Sequence, residues 1–185
     1  NSVTNIGDHA FYSCFNLTDV TIPNSVNSVK DSTFSFCYEL TTVTLGNSVT
    51  NIGDSAFYKC TSLTSVTMPS SVISIGHMAF DGCSSLTGVT IPTNITKIGF
   101  QAFMNCTSLT SMTIPDRITT INSNTFKGCT NLTDVIIGNR VTSINFRAFG
   151  SCTALTSIII PSSVTSIGDN VFQSCSNLTR VMIGT

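Results

Sequence analysis

One residue type recurs along this chain at an interval that never changes. The eight cysteines are spaced by 23 residues from Cys14 to Cys175, and a phenylalanine precedes each of them by three residues. A fixed period of this length is typical of a solenoid, in which no unit can bury its apolar side chains alone and each unit packs against the next. The repeat therefore predicts a single domain, residues 1–185, built from eight stacked units of 23 residues.

Each unit divides into three segments that predict one coil of the solenoid. Residues 63–68, LTSVTM, have apolar side chains at the first, fourth and sixth positions, which predicts a main strand that ends at the following proline or glycine. Residues 164–168, VTSIG, are short and β-branched, which favours a short second strand. The segment G-D-x-A-F-x-x-C is too short for an independent helix and predicts one helical or 3₁₀ turn with Phe and Cys facing inward. The expected fold class is an α/β-type repeat solenoid of about eight such coils.

The composition excludes several classes of function. Only 9% of the residues are charged, whereas roughly 25% is usual, and 26 serines and 29 threonines take their place. The formal net charge of −1 provides no basic footprint for nucleic acid. No run of 18 apolar residues occurs, so the sequence predicts no membrane span. The chain begins at Asn1 without a signal-peptide pattern, which is expected if targeting information lies outside this piece or has been removed.

For the cysteines and the repeated aspartates, the sequence favours structural roles over metal binding. All cysteines share one position in the repeat, so their Cβ vectors are parallel, which favours buried free thiols over disulfides. No C-x-x-C pattern with a nearby histidine supports a metal site. Asp8, Asp31, Asp54 and Asp169 share a position just before the x-A-F triplet, and the first three are consecutive. A carboxylate ladder could bind calcium, but we favour the interpretation that each aspartate caps its own turn, as Ser123 could, whereas His77, Phe100 and Phe146 could not.

Catalytic residues are not predicted. The chain contains two histidines, His9 and His77, at different repeat positions, and one glutamate, Glu39. No glycine-rich phosphate loop, nucleophile elbow or pair of carboxylates is present. The sequence therefore predicts a protein that is not an enzyme and has no cofactor.

Positions that vary between units are the candidate binding surface, because residues in variable columns can tune ligand binding without disturbing the stack. One such column lies within the main strand, beside an unbroken ladder of threonines, and contains Asp19, Thr42, Ser65, Gly88, Ser111, Asp134, Ser157 and Arg180. A second set is formed by apolar residues at positions that are polar in other units: Phe100, Phe146, Tyr12, Phe15, Phe36 and Tyr38. The alternatives are neutral drift at exposed positions for the column and local gap filling for the aromatic residues.

The repeat resembles a known family. Residues 63–83, LTSVTMPSSVISIGHMAFDGC, are similar to the 23-residue class of leucine-rich repeats typified by the bacterial surface antigen BspA, through I-P-x-S-V, I-G-x-x-A-F and the fixed cysteine. The asparagine ladder of ordinary leucine-rich repeats is absent, and Ser or Thr takes its place. The resemblance implies a right-handed, curved solenoid at the cell surface or outside the cell. It also implies adhesion to host or matrix proteins, such as fibronectin or fibrinogen, or to glycans.

The rival hypothesis is a structural role. A solenoid without a dedicated ligand can serve as a spacer or assemble end to end. The chain begins in mid-repeat at NSVTNIG and stops at VMIGT, so we expect a fragment of a longer array whose open strand edges favour end-to-end self-association.

Overall fold

The computed structural model of the protein describes residues 2–184 and is a parallel β-solenoid of eight main strands and seven short strands. The main strands are β1 Asp19–Thr21, β3 Thr42–Thr44, β5 Ser65–Thr67, β7 Gly88–Val89, β9 Ser111–Ile114, β11 Asp134–Ile137, β13 Ser157–Ile160 and β15 Arg180–Ile183. The short strands are β2 Ser28–Val29, β4 Asn51–Ile52, β6 Ser74–Ile75, β8 Lys97–Ile98, β10 Thr120–Ile121, β12 Ser143–Ile144 and β14 Ser166–Ile167. The main strand is therefore confirmed in all eight units, and the short second strand is confirmed in seven of them.

The two kinds of strand form separate sides of the solenoid. Main strands pair in the orders β1-β3-β5-β7, β9-β11 and β13-β15, and short strands pair in the orders β2-β4-β6-β8 and β10-β12-β14. Every pairing is parallel and joins residues 23 positions apart, as in Val43 with Val66 and Ile52 with Ile75. Equivalent residues of successive coils therefore lie above one another and form columns along the molecule.

The predicted inward columns form the core. Phenylalanines 34, 57, 80, 103, 126 and 149 are completely buried, as are the cysteines and leucines that follow them in the same coils. The phenylalanine rings stack in a continuous column, with centroids 5.2 Å apart for Phe11 and Phe34 and 5.8 Å apart for Phe149 and Phe172. Neighbouring rings are nearly parallel, as in Phe80 and Phe103, whose planes differ by 4°. The inward direction predicted for Phe and Cys is thus confirmed.

The third segment of each coil is not helical, and the prediction of a helical or 3₁₀ turn is wrong. Fourteen non-glycine residues have positive φ and all lie in this segment, for example Ser55 with φ 54°. Only alternate N–H groups bond within the segment, as from Ala56 to the Gly53 carbonyl at 3.4 Å, whereas Phe57 donates to the Ala79 carbonyl of the next coil at 2.8 Å. A helix requires continuous negative φ and internal bonds, so pairing between coils excludes it. Residues 2–184 contain no helix, and the fold is all-β rather than α/β.

The cysteine thiols also connect neighbouring coils. The Cys83 thiol donates to the Phe57 carbonyl at an Sγ–O distance of 3.1 Å, and the same bond recurs from Cys37 to Cys175 at 3.0–3.2 Å. All eight cysteines are free thiols. Burial raises the pKa of the Cys37 thiol to about 11 and that of Cys129 to about 12. These thiols therefore stay protonated at neutral pH and act as small apolar groups with one donor.

Glycines at the start of the third segment allow the coils to approach each other, which gives a first prediction. A Cβ on Gly99 would lie 2.5 Å from the Gly76 carbonyl carbon and from the His77 backbone nitrogen, whereas a Cβ on Gly88 would meet nothing within 4 Å. We expect Gly99→Ala to lower the free energy of unfolding by about 1–3 kcal/mol, because the backbones of two coils must separate.

The matched control is Gly88→Ala, which should change the free energy of unfolding by less than about 0.5 kcal/mol. Urea denaturation of both variants measures the difference. Equal stability of the two variants would contradict the close packing of coils at Gly99.

Candidate functional site

Each main strand begins with one residue of a column that runs from Asp19 to Arg180, and we call these eight residues the strand column. The strand column lies in register on one side of the solenoid. Asp19 pairs with Thr42, Ser111 with Asp134, and Ser157 with Arg180. All of its members are exposed except the half-buried Gly88. The structure therefore brings together the seven predicted site residues of this column: Asp19, Thr42, Ser65, Ser111, Asp134, Ser157 and Arg180.

The threonine column beside it, from Thr18 to Thr179, has a structural function. The Thr41 hydroxyl donates to the Thr18 carbonyl of the preceding coil at 2.9 Å, and the Thr64 hydroxyl donates to the Thr41 carbonyl at 3.1 Å. Thr87, Thr110, Thr133 and Thr179 repeat this bond. Six of the eight hydroxyls therefore connect two coils, which explains why this column does not vary.

An apolar strip that sequence reasoning missed lies on the same side, two residues beyond the strand column. Its position is threonine in five coils, Thr21 to Thr113, and changes to Ile136, Ile159 and Met182 in the last three. Ile136 is 64% exposed and Ile159 is 59% exposed, so neither side chain contributes much to the core. The change from Thr to Ile within one column is the sequence signal that could have predicted this strip. The fixed Leu and Val positions do not contain that signal.

A shallow groove runs beside the apolar strip, where the main strands turn at Pro115 and Gly138. Ile136 contributes its apolar wall, and Thr113, Asp116 and Asn139 contribute polar groups. The Asp116 carboxylate accepts a hydrogen bond from the Asn139 backbone N–H at 2.9 Å, which fixes the orientation of that carboxylate between two coils. The groove therefore offers an apolar contact next to a fixed acceptor.

Phe100 and Phe146, the other predicted site residues, lie in the third segment and not among the main strands. Phe100 is 46% exposed and stacks on His77, with ring centroids 4.9 Å apart and planes 12° apart. Phe146 is 40% exposed, and the Arg147 guanidinium lies 4.9 Å from the centre of its ring. The two rings stand in one column with Ser123 between them, so they form a surface separate from the strand column.

Asp31 and Asp54 cap the next coil, so the prediction that each aspartate caps its own turn is wrong for these two residues. The Asp31 carboxylate accepts from the Asp54 N–H at 2.8 Å, and the Asp54 carboxylate accepts from the His77 N–H at 2.7 Å. The His77 Nδ1 continues the series by accepting from the Phe100 N–H at 3.0 Å. A histidine thus caps where the sequence predicted that it could not, because an unprotonated ring nitrogen accepts as a carboxylate does.

An aromatic patch covers the third segments of the first coils and consists of Tyr12, Phe15, Phe36, Tyr38 and Tyr58. Phe36 makes edge contacts with Tyr12 and Tyr58 at centroid distances of 5.4 Å and 5.2 Å, and Phe15 stacks on Tyr38 at 5.5 Å. Tyr12, Phe15 and Tyr38 are between 41% and 52% exposed. These rings contact one another and leave an apolar surface exposed.

One carboxylate is buried in this segment. Asp81 is 6% exposed and accepts a hydrogen bond from the Asn105 side chain at 3.1 Å. Burial raises the pKa of Asp81, although the Asn105 hydrogen bond and the charges of Lys59 and Lys127 lower it. The group is enclosed by its own coil stack and offers little access to a ligand.

Residues 2–184 contain no cluster of three or more His, Cys, Asp or Glu side chains placed to hold a metal ion. Within the same range, no helix has the length and apolar character needed to cross a membrane. The accessible chemistry of the described surface is therefore that of hydroxyls, amides, a few charges and the exposed Ile and aromatic side chains.

Comparisons with known proteins agree with this architecture. The profile of the BspA type leucine rich repeat region (6 copies) matches residues 1–110 and residues 96–185. No curated protein matches the chain. The fold is similar to the crystal structure of a leucine rich cell surface protein from Faecalibacterium prausnitzii A2-165, with 39% sequence identity and a TM-score of 0.86.

That match covers 91% of this chain and 48% of the F. prausnitzii protein, so the chain spans about half the length of this relative. A leucine-rich repeat protein of T. pallidum is also similar, with 29% identity and a TM-score of 0.80, over 87% of this chain and 78% of that one. The repeat period, the stacked parallel strands and the profile over the whole chain lead to one conclusion. The protein belongs to the BspA type of leucine-rich repeat proteins.

Proposed function

We propose that the protein is a non-enzymatic binding module of a cell-surface protein, which adheres to a host or matrix protein or to a glycan through its main-strand side. The observation that carries the proposal is the apolar strip, because Ile136 and Ile159 expose most of their surface in a column that is otherwise threonine. Burying a side chain of this size against a partner contributes about 1.5–3 kcal/mol. The description of the F. prausnitzii relative as a cell surface protein supports the location.

The variation of the strand column is a second argument that the main-strand side is the binding surface. Its side chains range from Asp134 through Gly88 to Arg180, so the stack does not require a particular residue there. The threonine column next to it is fixed by hydrogen bonds between coils. Substitutions in the two variable columns can therefore change which ligand is bound, while the constant threonine column preserves the fold.

The test is a surface plasmon resonance screen of the purified chain against immobilised fibronectin, fibrinogen and a panel of glycans. For any ligand bound, we expect Ile136→Thr with Ile159→Thr to weaken the affinity at least about tenfold, since two buried isoleucines are lost. Asp134→Ala with Arg180→Ala should weaken it less, because charges at the edge of an interface contribute little.

The matched control removes the same number of exposed apolar side chains from another side, as Phe100→Ser with Phe146→Ser, and should leave the affinity unchanged. Loss of binding in the control pair, with normal binding in the isoleucine pair, would place the site on the third segment instead. A folded chain that binds none of these probes would favour the structural spacer.

A further inference from the structure

Five of the eight cations of the chain lie in one part of three consecutive coils, the fifth to the seventh. Residues 94–105, 117–128 and 140–151 include the short strand and the third segment of these coils, and they contain no aspartate or glutamate. Their cations are Lys97, Arg117, Lys127, Arg140 and Arg147. The corresponding segments of the other coils contain two cations, Lys30 and Lys59, and five aspartates. The positive charge is therefore local, although the formal net charge of the chain is −1.

Three carboxylates border these segments. Asp116 is exposed, and its carboxylate accepts a hydrogen bond from the Asn139 backbone N–H at 2.9 Å. Asp81, in the coil before, is buried and accepts a hydrogen bond from the Asn105 side chain at 3.1 Å. Asp169, in the coil after, is exposed. Two exposed carboxylates thus border five cations, which leaves an excess of positive charge on this part of the surface.

Two of the arginines occupy a column in which the fold does not require them. Arg117 and Arg140 are exposed and lie in adjacent coils, about 4.8 Å apart along the stack, where like charges are destabilising. The same position is serine in the second and fourth coils, and Ser25 and Ser71 each donate to a carbonyl of the preceding coil at 2.6 Å. The arginines therefore replace bonds between coils with a repulsive pair, which favours a role in binding an anionic partner.

Two exposed phenylalanines lie among these cations. Phe100 follows β8 by two residues and Phe146 follows β12 by two residues, so each stands where a short strand leads into the third segment. Their column is aspartate in four other coils, and Asp31 and Asp54 use that position to cap the next coil. A phenylalanine has no acceptor for such a bond, and the two rings are 46% and 40% exposed. These coils therefore lack the carboxylate cap and expose apolar surface instead.

We propose that this part of the molecule docks on the surface of an anionic lipid bilayer. Exposed phenylalanines can enter the boundary between head groups and acyl chains, while lysine and arginine side chains beside them are attracted to anionic lipids. Cations lie on both sides of the column of the two rings, because Lys97, Arg117 and Arg140 precede that column in their coils, and Lys127 and Arg147 follow it. We call the two phenylalanines and the five cations the basic edge.

The contacts of the two rings favour a bilayer over a nucleic acid. His77 stacks on Phe100, with centroids 4.9 Å apart and planes 12° apart, and the Arg147 guanidinium lies 4.9 Å from the centre of the Phe146 ring. Nucleic acid bases stack on open aromatic faces, so a ring that already has a stacking partner offers less of that contact. Insertion into a bilayer requires only that part of each ring is exposed. A soluble polyanion such as a sulfated glycan would use the cations without requiring the rings.

This docking is independent of the proposed adhesive function. The rings of the basic edge lie in the third segment, whereas the apolar strip and the strand column lie on the main-strand side. A protein held on a bilayer by the basic edge would therefore keep its main strands available to a ligand.

The docking is tested by co-sedimentation of the purified chain with two kinds of vesicle: phosphatidylcholine alone, and phosphatidylcholine with phosphatidylglycerol in equal parts. We expect binding to the mixed vesicles and at least about tenfold weaker binding to phosphatidylcholine, because each Lys or Arg near an anionic surface strengthens binding about fivefold. Binding to the mixed vesicles should fall at least about tenfold when added salt shortens the Debye length from about 30 Å to about 8 Å.

Charge variants test which cations are used. Lys97→Gln with Arg140→Gln should weaken binding to the mixed vesicles at least about tenfold. The matched control, Lys30→Gln with Arg180→Gln, makes the same change in net charge at other positions and should stay within about threefold of the parent.

Apolar variants test the insertion of the rings. Phe100→Ser with Phe146→Ser should weaken binding to the mixed vesicles at least about tenfold, because two apolar side chains are lost from the contact. The matched control, Ile136→Thr with Ile159→Thr, removes two exposed apolar side chains from the main-strand side and should leave vesicle binding within about threefold of the parent. Urea denaturation of each variant confirms that it is folded.

Absence of binding to the mixed vesicles at low salt would overturn the proposal, as would equal binding to both kinds of vesicle. Unchanged binding of the folded phenylalanine pair would also overturn it, because the rings would then not insert. Binding of the chain to heparin or single-stranded DNA, without binding to vesicles, would assign the cations to a soluble polyanion instead. The resonance screen against matrix proteins and glycans contains no lipid, so its result and the vesicle result can fail separately.

Discussion

The protein is expected to be several kcal/mol less stable at pH 10 than at pH 8. Seven thiols have a pKa raised by burial above the ordinary value of 9.0: Cys37, Cys60, Cys83, Cys106, Cys129, Cys152 and Cys175. In the folded state a thiolate would lose its hydrogen bond to a phenylalanine carbonyl of the preceding coil and would lie in an apolar core. Above pH 9 the thiol therefore keeps its proton in the folded state and loses it when the chain unfolds.

The sign follows from this difference in bound protons. Below pH 9 both states hold the proton and the stability is fully present, and above pH 9 only the unfolded state loses it, so stability falls as pH rises toward the folded values of about 11 and 12. Each thiol removes about 1.4 kcal/mol between pH 8 and pH 10. The six buried thiols, Cys37 to Cys152, together remove about 8 kcal/mol, which is comparable to the whole stability of an ordinary domain, whereas the half-buried Cys175 contributes less.

The measurement is the free energy of unfolding from urea denaturation at intervals of pH between 8 and 10. Cys83→Ala is the matched control, because it removes one titrating group and should reduce the pH-dependent loss by about 1.4 kcal/mol, whatever it does to stability at pH 8. Equal stability at pH 8 and pH 10 would contradict the burial of the cysteine column.

Phe80→Ala is expected to lower the free energy of unfolding by about 3–5 kcal/mol, the usual cost of emptying a buried aromatic site. The Phe80 ring is completely buried and stacks on Phe57 and on Phe103, each at a centroid distance of 5.3 Å. Its removal leaves a cavity between two rings whose backbones are held by hydrogen bonds to other coils, so the site cannot easily collapse.

Phe100→Ala is the control, since this ring is 46% exposed and has stacking contact with His77 on one face. The loss should be less than about 1 kcal/mol. Chemical denaturation of both variants distinguishes a core column from a surface column, and equal losses would show that the inward and outward positions of the third segment are assigned wrongly.

The columns of the core could be predicted from the sequence because they depend on a repeat and on polarity, both of which can be read directly. A fixed Phe, Cys and Leu in every unit can only be explained by burial, and all three are buried in the central coils. The main and short strands follow from the same argument, since apolar side chains recur at the same positions of every unit.

The third segment could not be predicted, because every second backbone N–H in it bonds to a carbonyl about one repeat away instead of one in its own turn. Local reasoning assigned helical turns and capping by each aspartate within its coil. The structure instead directs the Phe57 N–H to Ala79 and the Asp31 carboxylate to Asp54, both in the following coil. Whether an N–H group bonds within its turn or to the next coil depends on how the coils stack. The sequence of a single unit does not contain that information.

The position of the strand column could be predicted from the sequence, whereas its part in binding stays a prediction. The strand column could be found as a variable position within a strand, and it lies on one side as expected. The apolar strip could not be found by asking which positions are constant, because Ile136 and Ile159 are exceptions within a threonine column. An isoleucine is equally compatible with a core or a surface position, so only the observed exposures of 64% and 59% distinguish the two.

The hydrogen bonds between coils also determine how the molecule responds to force. Traction along the long axis loads each junction between coils in series, so the terminal coil peels away while the others remain folded. One released coil of 23 residues extends to about 80 Å, whereas it occupies about 4.8 Å in the stack. Under tension we therefore expect the protein to lengthen in regular steps and to dissipate work at each one, as an extensible tether does and a rigid rod does not.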